Sequence, residues 1–167
     1  MKIIKNKIMA NLLKKLREYK SPRKSINIEL NDFFANIYPD IILHNGIITR
    51  KKYKGKKIDK EYIIKSFGSI SAYEDYEFHT HVVDIVDCSL MQSLKFGLII
   101  KDIIKTKLKH DFPKEKFIVV LACDGKNKLN TIIRFHKLRK DEIVYDQKMI
   151  DRFDHPKLSC GFLVEEV

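Results

Sequence analysis

A chain of 167 residues with 44% hydrophobic content is long enough for one domain with a core of its own, so no disulfide or metal staple is required. The formal net charge of +11 belongs entirely to residues 1–60, which hold 16 Lys/Arg against 5 Asp/Glu, while residues 61–167 hold 17 of each. No apolar run approaches 18 residues and the basic N-terminus has its apolar residues broken by Asn11, Lys14 and Lys15, which excludes a membrane span and a signal-peptide core.

Cys88, Cys123 and Cys160 are odd in number and form no C-x-x-C pair. They read as free thiols in a reducing compartment, and the cytoplasm is the expected location. The charge asymmetry points to contact with nucleic acid, an acidic protein or an anionic membrane surface, weighed against a basic face that is merely solvated.

Taken in order, Ile8, Met9, Leu12, Leu13 and Leu16 recur at helical spacing, which predicts an amphipathic helix over residues 5–19 with Lys14, Lys15 and Arg17 on its polar side. Its apolar stripe would either pack on the domain or lie on an anionic surface. Residues 20–27 read as a polar loop. Asn31 or Asp32 would cap a short helix through Phe33, Phe34 and Ile37. Asn45-Gly46 between two β-branched runs predicts a hairpin over residues 41–53 with a type I′ turn. Its second arm runs into Arg50, Lys51, Lys52, Tyr53, Lys54, Lys56 and Lys57, with Gly55 at a bend. Residues 59–67 form a short helix with Ile58, Tyr62, Ile63 and Phe67 facing inward, closed by Gly68; residues 69–75 make a polar connection, and Glu74, Asp75 and Glu77 read as carboxylates on a solvated loop.

The organising unit is 77–138, read as β-α-β-β. Residues 78–86 form its first strand, residues 89–110 a long helix with a broad apolar face, residues 117–123 a strand without polar alternation and therefore covered on both faces. Gly97 in mid-helix implies close approach of the helix backbone to the sheet. A strand–helix–strand with short links predicts a parallel pair, and a turn at 124–127 returns residues 130–138 antiparallel. The fold class is therefore a single α+β domain, residues 1–167, with a mixed β-sheet, one long helix packed on it, an N-terminal amphipathic helix and the hairpin. Residues 143–145 would add an edge strand, 146–153 a short helix or loop ended by Pro156, and 162–164 a last strand.

Three chemistries compete. His79 and His81 alternate on one strand and would share a face, so with Asp84 (or Asp87 or His136) they form a candidate divalent-metal site. The string Phe78-His79-Thr80-His81 with Ser89 downstream resembles part of the JAB/MPN metalloprotease motif, but lacks the proline after the second histidine and carries Gln92 where that motif has an aspartate. Metallohydrolases that use the same pair inside a barrel need a longer chain. A thiolate at Cys88, just before a helix N-terminus, has no orienting acid or oxyanion hole to serve it. No phosphate-binding glycine loop is present, and no cofactor is implied. The basic group Lys14, Lys15, Arg17, Arg50, Lys51, Lys52, Tyr53, Lys54, Lys56 and Lys57 is a candidate binding surface for an acidic protein or, as an alternative, for nucleic acid.

Asp124-Gly125, Ile132 to Arg139, the acidic stretch 151–154 and the final Leu163-Val164 resemble the C-terminal part of small bacterial immunity-type proteins. The resemblance implies a stand-alone α+β domain that neutralises a toxin by covering it, without catalysis. Such proteins directed at nucleases are usually acidic and this chain is basic, so the target implied here presents an acidic surface.

Overall fold

A computed structural model describes residues 2–20, 37–124, 131–155 and 158–167. The predicted 31–37 helix up to Ile37, most of the 20–27 loop, the 125–127 part of the predicted turn and Pro156 lie outside those residues.

The five-stranded sheet runs in the order β1 (Ile3–Lys5), β7 (Cys160–Glu166), β5 (Phe117–Asp124), β6 (Thr131–Lys137), β4 (Thr80–His81). β5 is central because it has no polar face to show to water. Phe117, Val119, Leu121 and Cys123 enter the main core, while Val120 and Ala122 enter a second cluster with Ile150, Phe162 and Val164 on the opposite face. Helix α4 (Leu90–Asp111) covers the first face, and a short helix α5 (Gln147–Asp151) contributes Ile150 to the second. The architecture is α+β. β4 and β5 run in the same direction, as a strand–helix–strand unit requires, but β6 stands between them and every neighbouring pair is antiparallel. The expected directly paired parallel strands are therefore corrected: β7, whose Phe162, Leu163 and Val164 are all buried, occupies the free edge of β5.

Two reciprocal bonds set the start of α4. The Ser89 side chain accepts from the Gln92 amide, and the Gln92 side chain accepts from the Ser89 amide, a reciprocal capping box. Gly97 is where the helix meets the sheet. A Cβ there would stand 2.5 Å from Thr131 Cγ2 and 2.8 Å from Leu121 Cδ1, so the glycine is a packing requirement. Leu94, Ile100, Ile104 and Leu108 of this helix are buried, while Ile99 is 48% exposed. Lys101 and Lys105 turn onto the buried Glu165 of β7.

Helix α1 (Lys7–Glu18) lays Met9 and Leu12 against β7, at Gly161, where a Cβ would meet the Met9 backbone at 3.0 Å. Its apolar stripe thus packs on the core, with Ile8, Leu13 and Leu16 beside Met9 and Leu12. Asn6 caps it by accepting from Met9 N–H (3.1 Å) and also accepts from Phe162 N–H (2.9 Å). The hairpin forms as predicted: β2 (Ile41–His44) and β3 (Ile47–Arg50) pair in register, with Asn45 and Gly46 both at positive φ, 52° and 80°.

Other expectations give way. Of residues 78–86 only Thr80–His81 joins the ladder, and Val82–Asp84 is a 3-10 turn. The buried residues Val82, Ile85 and Val86 are spaced by three and four, the helical interval, which is why the stretch does not stay extended. Helix α2 (Lys60–Phe67) ends on Gly68 at φ 82°, as expected, but buries only Ile63 and leaves Tyr62 65% exposed. Residues 143–145 form no strand; the local pairing is a single bridge between Arg139 and Glu142. Most consequentially, the polar connection after Gly68 is a helix, α3 (Ile70–Glu77), capped by Ser69.

Candidate functional site

Helix α3 carries two adjacent acids inward. Consecutive helical residues point about 100° apart, so Glu74 and Asp75 serve different partners. Glu74 is 0% exposed. Its Oε1 accepts from Ile48 N–H (2.8 Å) and Arg139 Nη2 (2.6 Å), and its Oε2 from Lys137 N–H (2.8 Å) and Arg139 Nη1 (2.9 Å). Arg139 also donates to Gly46 O (2.8 Å) and Ser71 Oγ (3.0 Å). One two-pronged ion pair thereby ties the hairpin, α3 and the end of β6 together. Nothing in this knot is left over for chemistry.

Asp75 faces the other cluster. Its Oδ2 accepts from Tyr145 O–H (2.7 Å) and Arg134 Nη1 (3.3 Å), and its Oδ1 lies 3.3 Å from His136 Nδ1. His136 is 2% exposed and stacks on Tyr145 with ring centroids 6.1 Å apart. Burial, and then the Asp75 charge, push the Tyr145 phenol above its ordinary value, so it stays a donor. His136 and Tyr145 line a cleft of about 290 Å³ whose wall includes Ile4, Ile118 and Val164. An acid, an imidazole and a phenol beside a cleft are the arrangement most open to ligand chemistry among the described residues. The sequence treated Glu74 and Asp75 as solvated. The signal that could have placed them was Ser69 three residues before Ala72, a helix cap followed by acids at positions that turn inward.

The basic group divides. Arg50 leaves it: its Nε pairs with Glu77 Oε1 (3.2 Å) and its guanidinium lies over the Phe78 ring. Lys51, Lys52, Lys54, Lys56 and Lys57 are exposed on a turn that follows β3, a 3-10 segment Lys51–Tyr53 and then Gly55 at φ 81°. Lys51 meets only the exposed Asp40, at 3.7 Å. Among the described residues Lys52, Lys54, Lys56 and Lys57 have no carboxylate partner, and Lys52 Nζ and Lys56 Nζ stand 4.9 and 5.3 Å from the centre of the Tyr53 ring. Lys14, Lys15 and Arg17 are exposed on α1. That helix packs on β7 and the hairpin on β6, on either side of β5, so the two basic stretches are anchored at different places on the sheet.

The histidine pair does not assemble a metal shell. The His79 and His81 rings stand edge to face with centroids 5.4 Å apart, and His79 Nδ1 donates to Tyr76 O at 2.5 Å. Asp84 is exposed on the 3-10 turn beyond β4. His81 pairs with Ile132, four residues from His136 along β6, roughly 13 Å of strand rise. Among the described residues no three His, Cys, Asp or Glu side chains stand close enough to hold an ion. The thiols are pushed toward the protonated form. Burial and the neighbouring Asp87 raise Cys88, burial raises Cys123, and burial with the Asp124 charge pushes Cys160 up to about 12. No helix among the described residues is long and apolar enough to cross a membrane.

Set beside known proteins, the chain matches the family model of the Uncharacterized protein PM0498 family over residues 4–161, and it belongs to that family. No curated protein and no solved structure matches it.

Proposed function

We propose that this member of the PM0498 family is a non-enzymatic binding protein of the immunity type, which covers an acidic face on a protein partner with the lysine turn at 51–57. The observation that carries the reading is the concentration of exposed ammonium groups at Lys52, Lys54, Lys56 and Lys57, none with a carboxylate partner among the described residues. By contrast, among the described residues the buried and half-buried lysines are each neutralised: Lys101 and Lys105 by Glu165, Lys107 by Asp111, Lys137 by Glu115. Unscreened cations on a projecting turn raise the encounter rate with an anionic surface and are free to pair with it. A protein partner is favoured over nucleic acid because the Tyr53 ring is occupied by its own lysines, where a single-strand binder would offer an aromatic face to a base.

The test is binding of poly-L-glutamate and of a single-stranded oligonucleotide to the protein and to a variant with Lys52, Lys54, Lys56 and Lys57 changed to alanine. The expected result is polyglutamate binding that weakens with salt and is lost in the variant, with the oligonucleotide weaker. Equal binding by the variant overturns the role of the turn. Tighter binding of the oligonucleotide moves the function to nucleic acid.

A further inference from the structure

The cleft beside His136 is floored by the sheet. His136 stands opposite Ile118, and Val164 stands opposite both Val120 and Ile4. Paired residues, and residues two apart on a strand, share a face, so Ile4, Ile118, His136 and Val164 line one face of four neighbouring strands. Ile143, 76% exposed, also lines the cleft. Among the described residues the lining sets Lys2, Arg139 and Lys140 against Glu142, Asp146 and Glu166, so its formal charges cancel. Such a lining favours neither sign, and a charged ligand would lose its water to apolar walls.

One polar atom in the cleft is unspent. His136 is 2% exposed, and its Nδ1 lies 3.3 Å from Asp75 Oδ1. A carboxylate only accepts, so Nδ1 carries the hydrogen of that bond. Nε2 has no hydrogen-bond partner among the described residues. Yet among those residues the one fully enclosed side-chain nitrogen or oxygen left unbonded is Ser93 Oγ. Nε2 is therefore reached from outside, and the cleft is the opening that His136 lines. Asp75, itself held by Tyr145 O–H (2.7 Å) and Arg134 Nη1 (3.3 Å), fixes the ring in place before any ligand arrives.

We propose that this cleft binds a small neutral molecule with an apolar body and one hydroxyl group. The hydroxyl bonds to His136 Nε2, and the hydrocarbon lies on Ile4, Ile118 and Val164. A hydroxyl suits the nitrogen because it donates to the lone pair of the neutral ring and accepts from the protonated one. The volume of about 290 Å³ suits a compact ligand, at the small end of ligand pockets.

The experiment is a titration with phenol, with toluene, which has the same shape and no hydroxyl, and with benzoate. It is followed by the NMR signals of the His136 ring nitrogens and of the Ile118 and Val164 methyl groups. Phenol is expected to shift all of them saturably. Toluene is expected to bind roughly fivefold more weakly, the scale of one hydrogen bond, moving the methyl groups but not Nε2, and benzoate more weakly than phenol. His136→Phe keeps a ring of similar size without the nitrogen and is expected to bind phenol and toluene alike. Should that variant not fold, the phenol-to-toluene ratio and the Nε2 signal of the natural protein decide the matter. Absence of a saturable methyl shift overturns the proposal, as does equal binding of phenol and toluene, a still Nε2 signal, or benzoate binding as tight as phenol. The inference does not rest on the lysine turn: the alanine variant of 51–57 is expected to bind phenol normally, so failure here and failure of the surface reading are told apart.

Discussion

On α3, both oxygens of Glu74 and both of Asp75 face hydrogen-bond donors inside the protein. On the turn at 51–57, four ammonium groups are exposed to water, with no carboxylate partner among the described residues. The difference follows from solvation. A charge taken out of water is tolerated only when every lone pair or proton is matched, and a matched set fixes the positions of everything it touches. A charge left in water keeps its mobility, contributes little to stability and remains free for a partner. Glu74 therefore organises the fold, while Lys54 and its neighbours are available to act on something outside it.

The sharpest test of that contrast removes one half of the buried pair. Arg139→Met leaves Glu74 buried without its guanidinium and is expected to cost about 3–5 kcal/mol in urea unfolding. A loss below about 1 kcal/mol would mean that water or the two backbone amides suffice for Glu74, and the contrast would weaken. Gly97→Ala drives a methyl group into Thr131 and Leu121 and is expected to cost about 1–3 kcal/mol, read as a drop in Tm. No drop would show that helix and sheet can separate at little cost.

The buried acids also predict an acid limb. Burial alone would raise the Glu165 carboxyl, but the hydrogen bonds and charges of Lys101 and Lys105 outweigh it and hold it below its ordinary 4.5. Because the folded value is the lower one, this contribution is present above about pH 4.5 and is lost as pH falls through the folded value. Stability of Glu165→Gln is expected to change less with pH over that range than the natural protein does. A variant with the same acid slope would assign the limb to other carboxylates. The smallest effect is expected on the exposed turn, where replacing Lys52, Lys54, Lys56 and Lys57 by alanine should move stability by no more than about 0.5 kcal/mol per site, with all of the consequence in binding. A large loss would place those lysines with Glu74, as structure.

The legible parts of the chain were those in which neighbours in sequence decide the outcome. The Asn45-Gly46 turn, the Ser89 start of α4, the Gly68 stop and the unbroken apolar run of β5 each announce themselves within a few residues. The candidate cleft did not, because Asp75, His136 and Tyr145 are brought together across some seventy residues of chain. The lysine turn was found, but Arg50 within it was misread, since only Glu77 and Phe78 make it an inward residue.

Local sequence located α1, the hairpin, α2, α4, β5 and the excess positive charge, because hydrogen-bond caps, side-chain period and the φ of glycine act over short range, but it left α3 as a loop and 78–86 as a strand. Which strand lies next to which, and which charges are hidden, came only with tertiary structure. Burial of an ionic group depends on partners that may be anywhere in the chain, and the edge of β5 goes to whichever strand buries the most there, here the last one.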